Sequence, residues 1–380
     1  MTDLQPHKPE WAPEDDDGEF TSRVVPGVPG GHDGLDRDSA TVPLANANDR
    51  AQTRRPLTAE EYVAGVLAGD RAVLARAITL IESNAAAHFE LAQEVLRRLL
   101  AHSGSAIRVG ITGVPGAGKS TLIEALGTRL IERGHKVAVL AIDPTSSLTR
   151  GSILGDKTRM ERLSREASAF IRPSPAGGVL GGVARKTRET MLVCEAAGFD
   201  VVIVETVGAG QNEITVRSMV DFFLLVLIPG GGDELQGIKK GVVELADAIA
   251  INKADGENKV RAEAARAEYN RALHYLTPPT EGWRPRAYSC SALTGEGIDA
   301  LWEVVIRFRE RALETGTLQA RRREQAREWL HAIIEEQLRA IFYDRPAVRE
   351  TLPGIEAAVM DGTLPATAAA RQLLALLESR

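Results

Sequence analysis

Between about residues 105 and 308, short apolar runs alternate with amphipathic stretches. The runs are Ile107–Thr112, Val137–Asp143, Val201–Glu205, Phe222–Ile228, Ala248–Asn252 and Arg286–Ser289. They are nearly continuous in Val, Ile, Leu and Ala rather than alternating with polar residues. Strands of that kind are covered on both faces, as in a parallel sheet with helices above and below. The pattern predicts an α/β fold with a mostly parallel central sheet and right-handed crossovers. Functional loops should then sit at the carboxyl ends of the strands.

The flanks read differently. Val73, Leu74, Ala77, Ile78 and Ile81 recur at helical spacing, followed by Phe89, Leu91, Val95, Leu96, Leu99 and Leu100. Thr58 and Glu61 have capping-box spacing, Gly69 suits a helix stop and Asp70 the next N-cap. These signals predict an N-terminal helical module at residues 57–104, ahead of a central domain at 105–308. In residues 309–380, Trp329, Leu330, Ile333, Ile334, Leu338, Ile341 and Phe342 form one apolar stripe. Pro346, Pro353 and Pro365 are expected to break this region into segments. Residues 1–56 are rich in Pro, Gly, Asp and Asn and are expected to form a disordered tail, because they hold too little apolar surface to offset chain entropy.

The 380 residues carry a net charge of −6 spread along the chain, which argues against a nucleic-acid binder. No run reaches the length of a membrane span. The N-terminus lacks the pattern of a signal peptide, and Asp15, Asp16 and Asp17 argue against a transit peptide. Cys194 and Cys290 sit in apolar settings, as buried thiols of a cytoplasmic protein would.

The strongest chemical signal is Gly113-Val114-Pro115-Gly116-Ala117-Gly118-Lys119-Ser120-Thr121. It matches G-x-x-x-x-G-K-[ST] between a predicted strand and the apolar helix Leu122–Ile131, the context a P-loop requires. The glycines let successive N–H groups face phosphates, and the helix N-terminus adds its dipole. Lys119 is expected to reach the β- and γ-phosphates, exposed until nucleotide binds, and Ser120 to offer its hydroxyl to Mg²⁺. The second signal is Asn252-Lys253-Ala254-Asp255, directly after a strand. Guanine presents N1–H and a 2-amino group side by side, and the Asp255 carboxylate can accept both. Adenine lacks that pair, so the reading is GTP rather than ATP. Asn252 and Lys253 would brace the loop and the base. Ser291, Ala292 and Leu293 follow the last predicted strand and can close the base pocket, although alone they would pass for an ordinary loop.

Asp143 and Glu205 end strands, and Asp156 lies in Gly155-Asp156-Lys157-Thr158-Arg159-Met160. All three are candidates, with Ser120, for the Mg²⁺ site; the competing roles are caps or ion pairs. Two glycine-rich stretches, Gly177–Gly182 before Arg185 and Lys186, and Pro229–Glu234 before Lys239 and Lys240, suit switches ordered by a γ-phosphate or plain connections.

Taken together, Gly113–Thr121, Ala141–Ser147, Gly151–Met160, Val183–Thr190, Glu205–Gly208 and Gln236–Gly241 resemble the MeaB family of methylmalonyl-CoA mutase-associated GTPases over about residues 57–375. The resemblance implies a P-loop NTPase fold with flanking helical segments. It also implies a GTP-hydrolysing chaperone that gates adenosylcobalamin loading of methylmalonyl-CoA mutase and protects the loaded enzyme. Family members are homodimers joined through C-terminal helices. Asp143, Asp156 and Glu205 match the family's magnesium positions, and Lys239 and Lys240 lie in its extra switch; with Lys119 and Glu205 they are the catalytic candidates. GTP or GDP with Mg²⁺ is the implied cofactor set, and a B12-dependent acyl-CoA mutase the implied partner, with no nucleic acid and no membrane. Among rivals, a metallochaperone GTPase would carry clustered Cys and His, whereas the 7 histidines here are scattered. An ATP-dependent kinase would need a catalytic base that the motifs do not supply. A protein-targeting GTPase would need a methionine-rich domain, and the chain has 5 methionines. After Gly208 stands Ala209, where small GTPases place the water-orienting glutamine, and Gln211 is out of register. Slow hydrolysis awaiting a partner is the expectation.

Overall fold

In a computed structural model, the described residues are 55–143, 160–175, 180–206, 212–230 and 240–378. All belong to the unit Leu57–Arg380, save the two residues before it. Seven strands form one sheet: β1 (Ile107–Gly113), β2 (Val137–Asp143), β3 (Ala169–Pro175), β4 (Val201–Thr206), β5 (Phe222–Leu227), β6 (Ala248–Ile251) and β7 (Ala287–Ser289). Their order is β3-β2-β4-β1-β5-β6-β7, and every pairing is parallel. β1 lies between β4 and β5, where the connections change direction, so the crevice at its carboxyl end is the natural ligand position. The strand that the apolar pattern did not announce is β3. Its sequence, AFIRPSP, contains two prolines, which cannot donate to a ladder. It survives at the sheet edge, where one side needs no partner.

Both faces of the sheet are covered. On one, Val109, Ile111, Ile203 and Phe222 pack with Leu122, Ile123, Leu126 and Leu130 of α4 (Lys119–Glu132), and Phe308 meets Phe222 edge-on at 5.1 Å. On the other, Ala138, Leu140, Val202 and Phe223 meet Val66, Ile78 and Leu99 from three N-terminal helices, α1 (Ala59–Leu67), α2 (Arg71–Glu82) and α3 (Ala86–Leu99). The predicted N-terminal helices therefore complete a core layer of the sheet. Their start signals act as read. Glu61 N–H donates to Thr58 Oγ1 at 3.3 Å and Thr58 N–H to Glu61 Oε2 at 2.8 Å. Asp70 Oδ1 accepts from Ala72 and Val73 N–H.

After the short α5 (Glu161–Arg165), α6 (Leu180–Ala196), α7 (Asn212–Arg217), α8 (Lys240–Leu245), α9 (Asn258–Tyr275) and α10 (Ile298–Glu314), the chain enters α11 (Thr317–Tyr343). The first half of α11 is fastened to the sheet's N-terminal edge. Arg322 pairs with buried Asp221 at 2.5 Å, and Arg321 approaches Asp247 at 3.7 Å. Gln325 Nε2 donates to Val220 O at 2.9 Å. The second half leaves Leu330, Ile334, Leu338 and Ile341 exposed along one face. Two helices follow, α12 (Pro346–Met360) and α13 (Ala366–Glu378). Pro346 opens α12 and Pro365 directly precedes α13, but Pro353 does not divide the chain as expected and lies inside α12. One lost backbone hydrogen bond does not end a helix that packs along α13. Among the described residues, no helix is long and apolar enough to cross a membrane.

Candidate functional site

The carboxyl end of β1 turns into α4 through a loop that only glycine can build. Gly113 has φ 152°, and a Cβ there would lie 2.0 Å from Val226 O of β5. Gly116 and Gly118 also have positive φ, at 78° and 82°. A Cβ on Gly118 would lie 2.7 Å from Asn252 Nδ2. The loop is thus pressed against β5 on one side and the Asn252 loop on the other. Pro115, Gly116 and Thr121 are exposed, Ala117 is buried, and Val114, Gly118 and Ser120 are half-buried. The first turn of α4 directs its N–H groups toward the same space, the arrangement that binds phosphate. Lys119 is not exposed as expected. It is 7% exposed, and its Nζ donates to Gly113 O at 2.9 Å and Val114 O at 3.1 Å. A buried ammonium needs acceptors, and the loop's own carbonyls supply them.

Beside the loop, Ser120 Oγ donates to Glu205 Oε1 at 2.8 Å. Glu205 lies one residue before the end of β4 and is buried. Thr112 and Thr206 hydroxyls join at 2.7 Å behind it. Asp143 ends β2, and the register Ala141↔Glu205 and Ile142↔Thr206 brings its backbone to the same edge. The Asp143 side chain and all of Asp156 lie outside the described residues. A hydroxyl and a carboxylate are hard oxygen donors. They fit Mg²⁺, which is held through one or two protein oxygens together with phosphate oxygens and waters. Among the described residues, no cluster of three or more His, Cys, Asp or Glu could hold a metal without those additional oxygens.

The base side is built on Asn252, which is 1% exposed. Its Nδ2 donates to Ala117 O at 2.8 Å, and its Oδ1 accepts from Ala292 N–H at 3.0 Å. One side chain therefore ties the phosphate loop to the loop after β7. Lys253 is exposed in the left-handed region, φ 59°, and its Cε lies 3.9 Å from where a Gly118 Cβ would stand. Asp255 Oδ2 accepts from Ser291 Oγ at 2.5 Å. The Ser291 hydroxyl also accepts from Thr294 N–H at 3.1 Å. The Ser291 hydroxyl thus orients the carboxylate. Leu293, by contrast, is 82% exposed. Cys290 lies behind Asn252 with Sγ 3.8 Å from Oδ1, and burial pushes its thiol up to about 12. No spacing in the sequence marks Cys290, Thr112 or Thr206 as supports of the site.

Three of the sequence-predicted segments, Gly113–Thr121, Asn252–Asp255 and Ser291–Leu293, therefore meet at one sheet edge with Glu205. Lys239, Gly208, Ala209 and Gln211 lie outside the described residues. Lys240 opens α8, and its side chain is likewise outside them.

A family model described as methylmalonyl Co-A mutase-associated GTPase MeaB matches residues 74–347. The Escherichia coli GTPase ArgK is 48% identical over 328 residues, spanning 85% of this chain and 98% of that protein. The mouse protein named methylmalonic aciduria type A homolog, mitochondrial, is 46% identical over 326 residues, 83% of this chain and 79% of its own. A crystal structure of an LAO/AO transport system kinase superposes with a TM-score of 0.69 at 40% identity, covering 84% of this chain and 98% of that one.

Proposed function

The chain belongs to the MeaB family and is a P-loop GTPase, and from that premise we propose that it is a GTP-driven chaperone of a B12-dependent acyl-CoA mutase, most directly methylmalonyl-CoA mutase. In this reading it gates adenosylcobalamin loading and protects the loaded enzyme. The observation that supports guanine as the base is the Asp255 carboxylate held by Ser291 on a loop pinned to the phosphate cradle through Asn252. The mutase partner follows from the family description.

In hydrolysis, water attacks the γ-phosphorus and the bond to the β–γ bridging oxygen breaks, leaving GDP and phosphate. Lys119 must exchange its two carbonyl acceptors for phosphate oxygens, which places its charge where negative charge develops. Ser120 and Glu205, with Asp143 and Asp156, would hold Mg²⁺, which supplies further neutralisation of the phosphates when bound. Glu205 also keeps the Ser120 hydroxyl oriented. Lys239 and Lys240 are the candidates for a basic group brought onto the γ-phosphate by a docked partner. The segment 309–380 joins two copies through the exposed face of α11, and the protein works in the cytoplasm.

Single-turnover GTP hydrolysis with and without the cognate mutase tests the reading. The mutase should accelerate a slow basal rate, and Lys239→Ala or Lys240→Ala should blunt that acceleration. A fast basal rate that the mutase leaves unchanged refutes partner gating.

A further inference from the structure

A cavity of about 620 Å³ opens at the opposite end of the sheet from the phosphate loop. Gly104, Ser105 and Arg108 line it at the start of β1, whereas the phosphate loop follows the end of that strand. A seven-residue strand separates the two by about 20 Å. The walls are mainly apolar, with Leu100, Met191, Met219 and Leu318 among them, and the indole of Trp329 forms one side.

Five arginines reach this space: Arg108, Arg188, Arg309, Arg322 and Arg323. Two are neutralised, Arg108 by Glu195 at 2.6 Å and Arg322 by Asp221 at 2.5 Å. The other three have no carboxylate within ion-pair distance among the described residues. Arg188 is 8% exposed. It donates to the Gln325 and Ser218 carbonyls and to Ser218 Oγ, none of them charged. Its guanidinium lies 5.7 Å from the centre of the Trp329 ring. Burial lowers its pKa to about 10, the charge of Glu328 offsetting this only in part, so it stays charged at neutral pH with no carboxylate paired to it directly. Arg309 donates to Ser105 O at 3.0 Å, and Arg323 is exposed at the rim. Two of the residues that line the cavity each hold a buried N–H without an acceptor, Arg188 Nε and Trp329 Nε1. Buried donors left without acceptors are uncommon and point to a missing partner.

We propose that this cavity is a second ligand site, separate from the nucleotide cradle, that takes a phosphorylated organic molecule with a planar or apolar body. Three guanidiniums with no carboxylate at ion-pair distance among the described residues call for an anion of more than one charge, and their planar forks suit phosphate. The indole and the aliphatic walls take the body, and the volume is that of a small-molecule pocket. Arg188 belongs to Val183–Thr190, a segment that the nucleotide cradle does not use.

The full chain, saturated with GDP, is titrated calorimetrically with 1-naphthyl phosphate, with 1-naphthol and with inorganic phosphate. Naphthyl phosphate should bind once per chain, and about tenfold or more tighter than either part alone, since head and body are recognised together. Arg309→Glu with Arg323→Glu should weaken it by about tenfold or more while GDP affinity, which reads the other site, stays unchanged. Trp329→Phe should reduce binding of naphthyl phosphate but not of inorganic phosphate. No saturable heat, equal binding of naphthol and naphthyl phosphate, or equal binding in the charge-reversed variant would each overturn the proposal.

Discussion

Replacing Asn252 tests the joint between base recognition and phosphate binding. In Asn252→Ala two hydrogen bonds vanish, and the buried Ala117 carbonyl and half-buried Ala292 N–H lose their partner. Each lost bond contributes about 1 kcal/mol net, and each stranded group adds a desolvation cost, so about 2–4 kcal/mol of stability should go. Asn252→Asp is more informative. Its carboxylate still accepts from Ala292 N–H, but it turns a second, negative oxygen toward Ala117 O in a position only 1% exposed. Only the protonated carboxyl can donate to that carbonyl. The acid's pKa should therefore rise on folding above its ordinary value of about 3.9. A raised folded-state pKa gives stability that is present below the unfolded value and lost as pH rises through the folded one. The deficit of Asn252→Asp relative to the native chain should then be large at pH 8 and shrink toward pH 4. Urea unfolding of both variants across pH, with calorimetric GDP affinity beside it, measures the effect. GDP should bind at least about tenfold more weakly to either variant, because Ala117 lies in the phosphate loop. Unchanged unfolding free energy and unchanged GDP affinity in Asn252→Ala would refute the joint.

Asp255→Asn replaces an acceptor oxygen with a donor and should weaken GTP by about 2–4 kcal/mol while rescuing xanthosine triphosphate; calorimetry with both nucleotides decides it. Lys119→Ala should abolish hydrolysis while circular dichroism stays native, at a stability cost of about 1–3 kcal/mol from the two carbonyls it leaves; full turnover in the variant would remove Lys119 from the site. Leu338→Asp, on the exposed face of α11, should convert a dimer into a monomer by light scattering at micromolar concentration, and a native chain that is already monomeric would count against the dimer. Cys194 and Cys290 should resist thiol reagents at pH 8 until the chain unfolds, because burial raises both thiols well above that pH.

Much of this arrangement is legible in the chain because its signals are local. A P-loop needs glycine at fixed offsets from its lysine, and Gly113, Gly116 and Gly118 stand at positive φ for that reason. The strand runs are apolar on both faces because helices cover both, and Thr58 and Asp70 cap the helices they precede. What the chain conceals depends on partners distant in sequence. β3 carries prolines and polar residues that mimic a loop, and only its edge position makes them tolerable. The anchoring of α11 is a second case. Asp221 and Asp247 stand directly before strands with no local mark of their role, and each is buried and faces arginines some 30 to 100 residues away. Asp221 accepts from Arg108 N–H of β1 as well as from Arg322, and Asp247 accepts from Phe223 N–H while pairing with Arg217. Removing either carboxylate would strand half-buried arginines, and the loss should approach that of a broken buried pair, about 3–5 kcal/mol. The helix that carries the exposed apolar face is thereby locked to the strands whose other ends hold the nucleotide loops. A partner or second copy gripping α11 would therefore pull on the starts of β5 and β6 through these ion pairs, at the end of the sheet opposite the cradle.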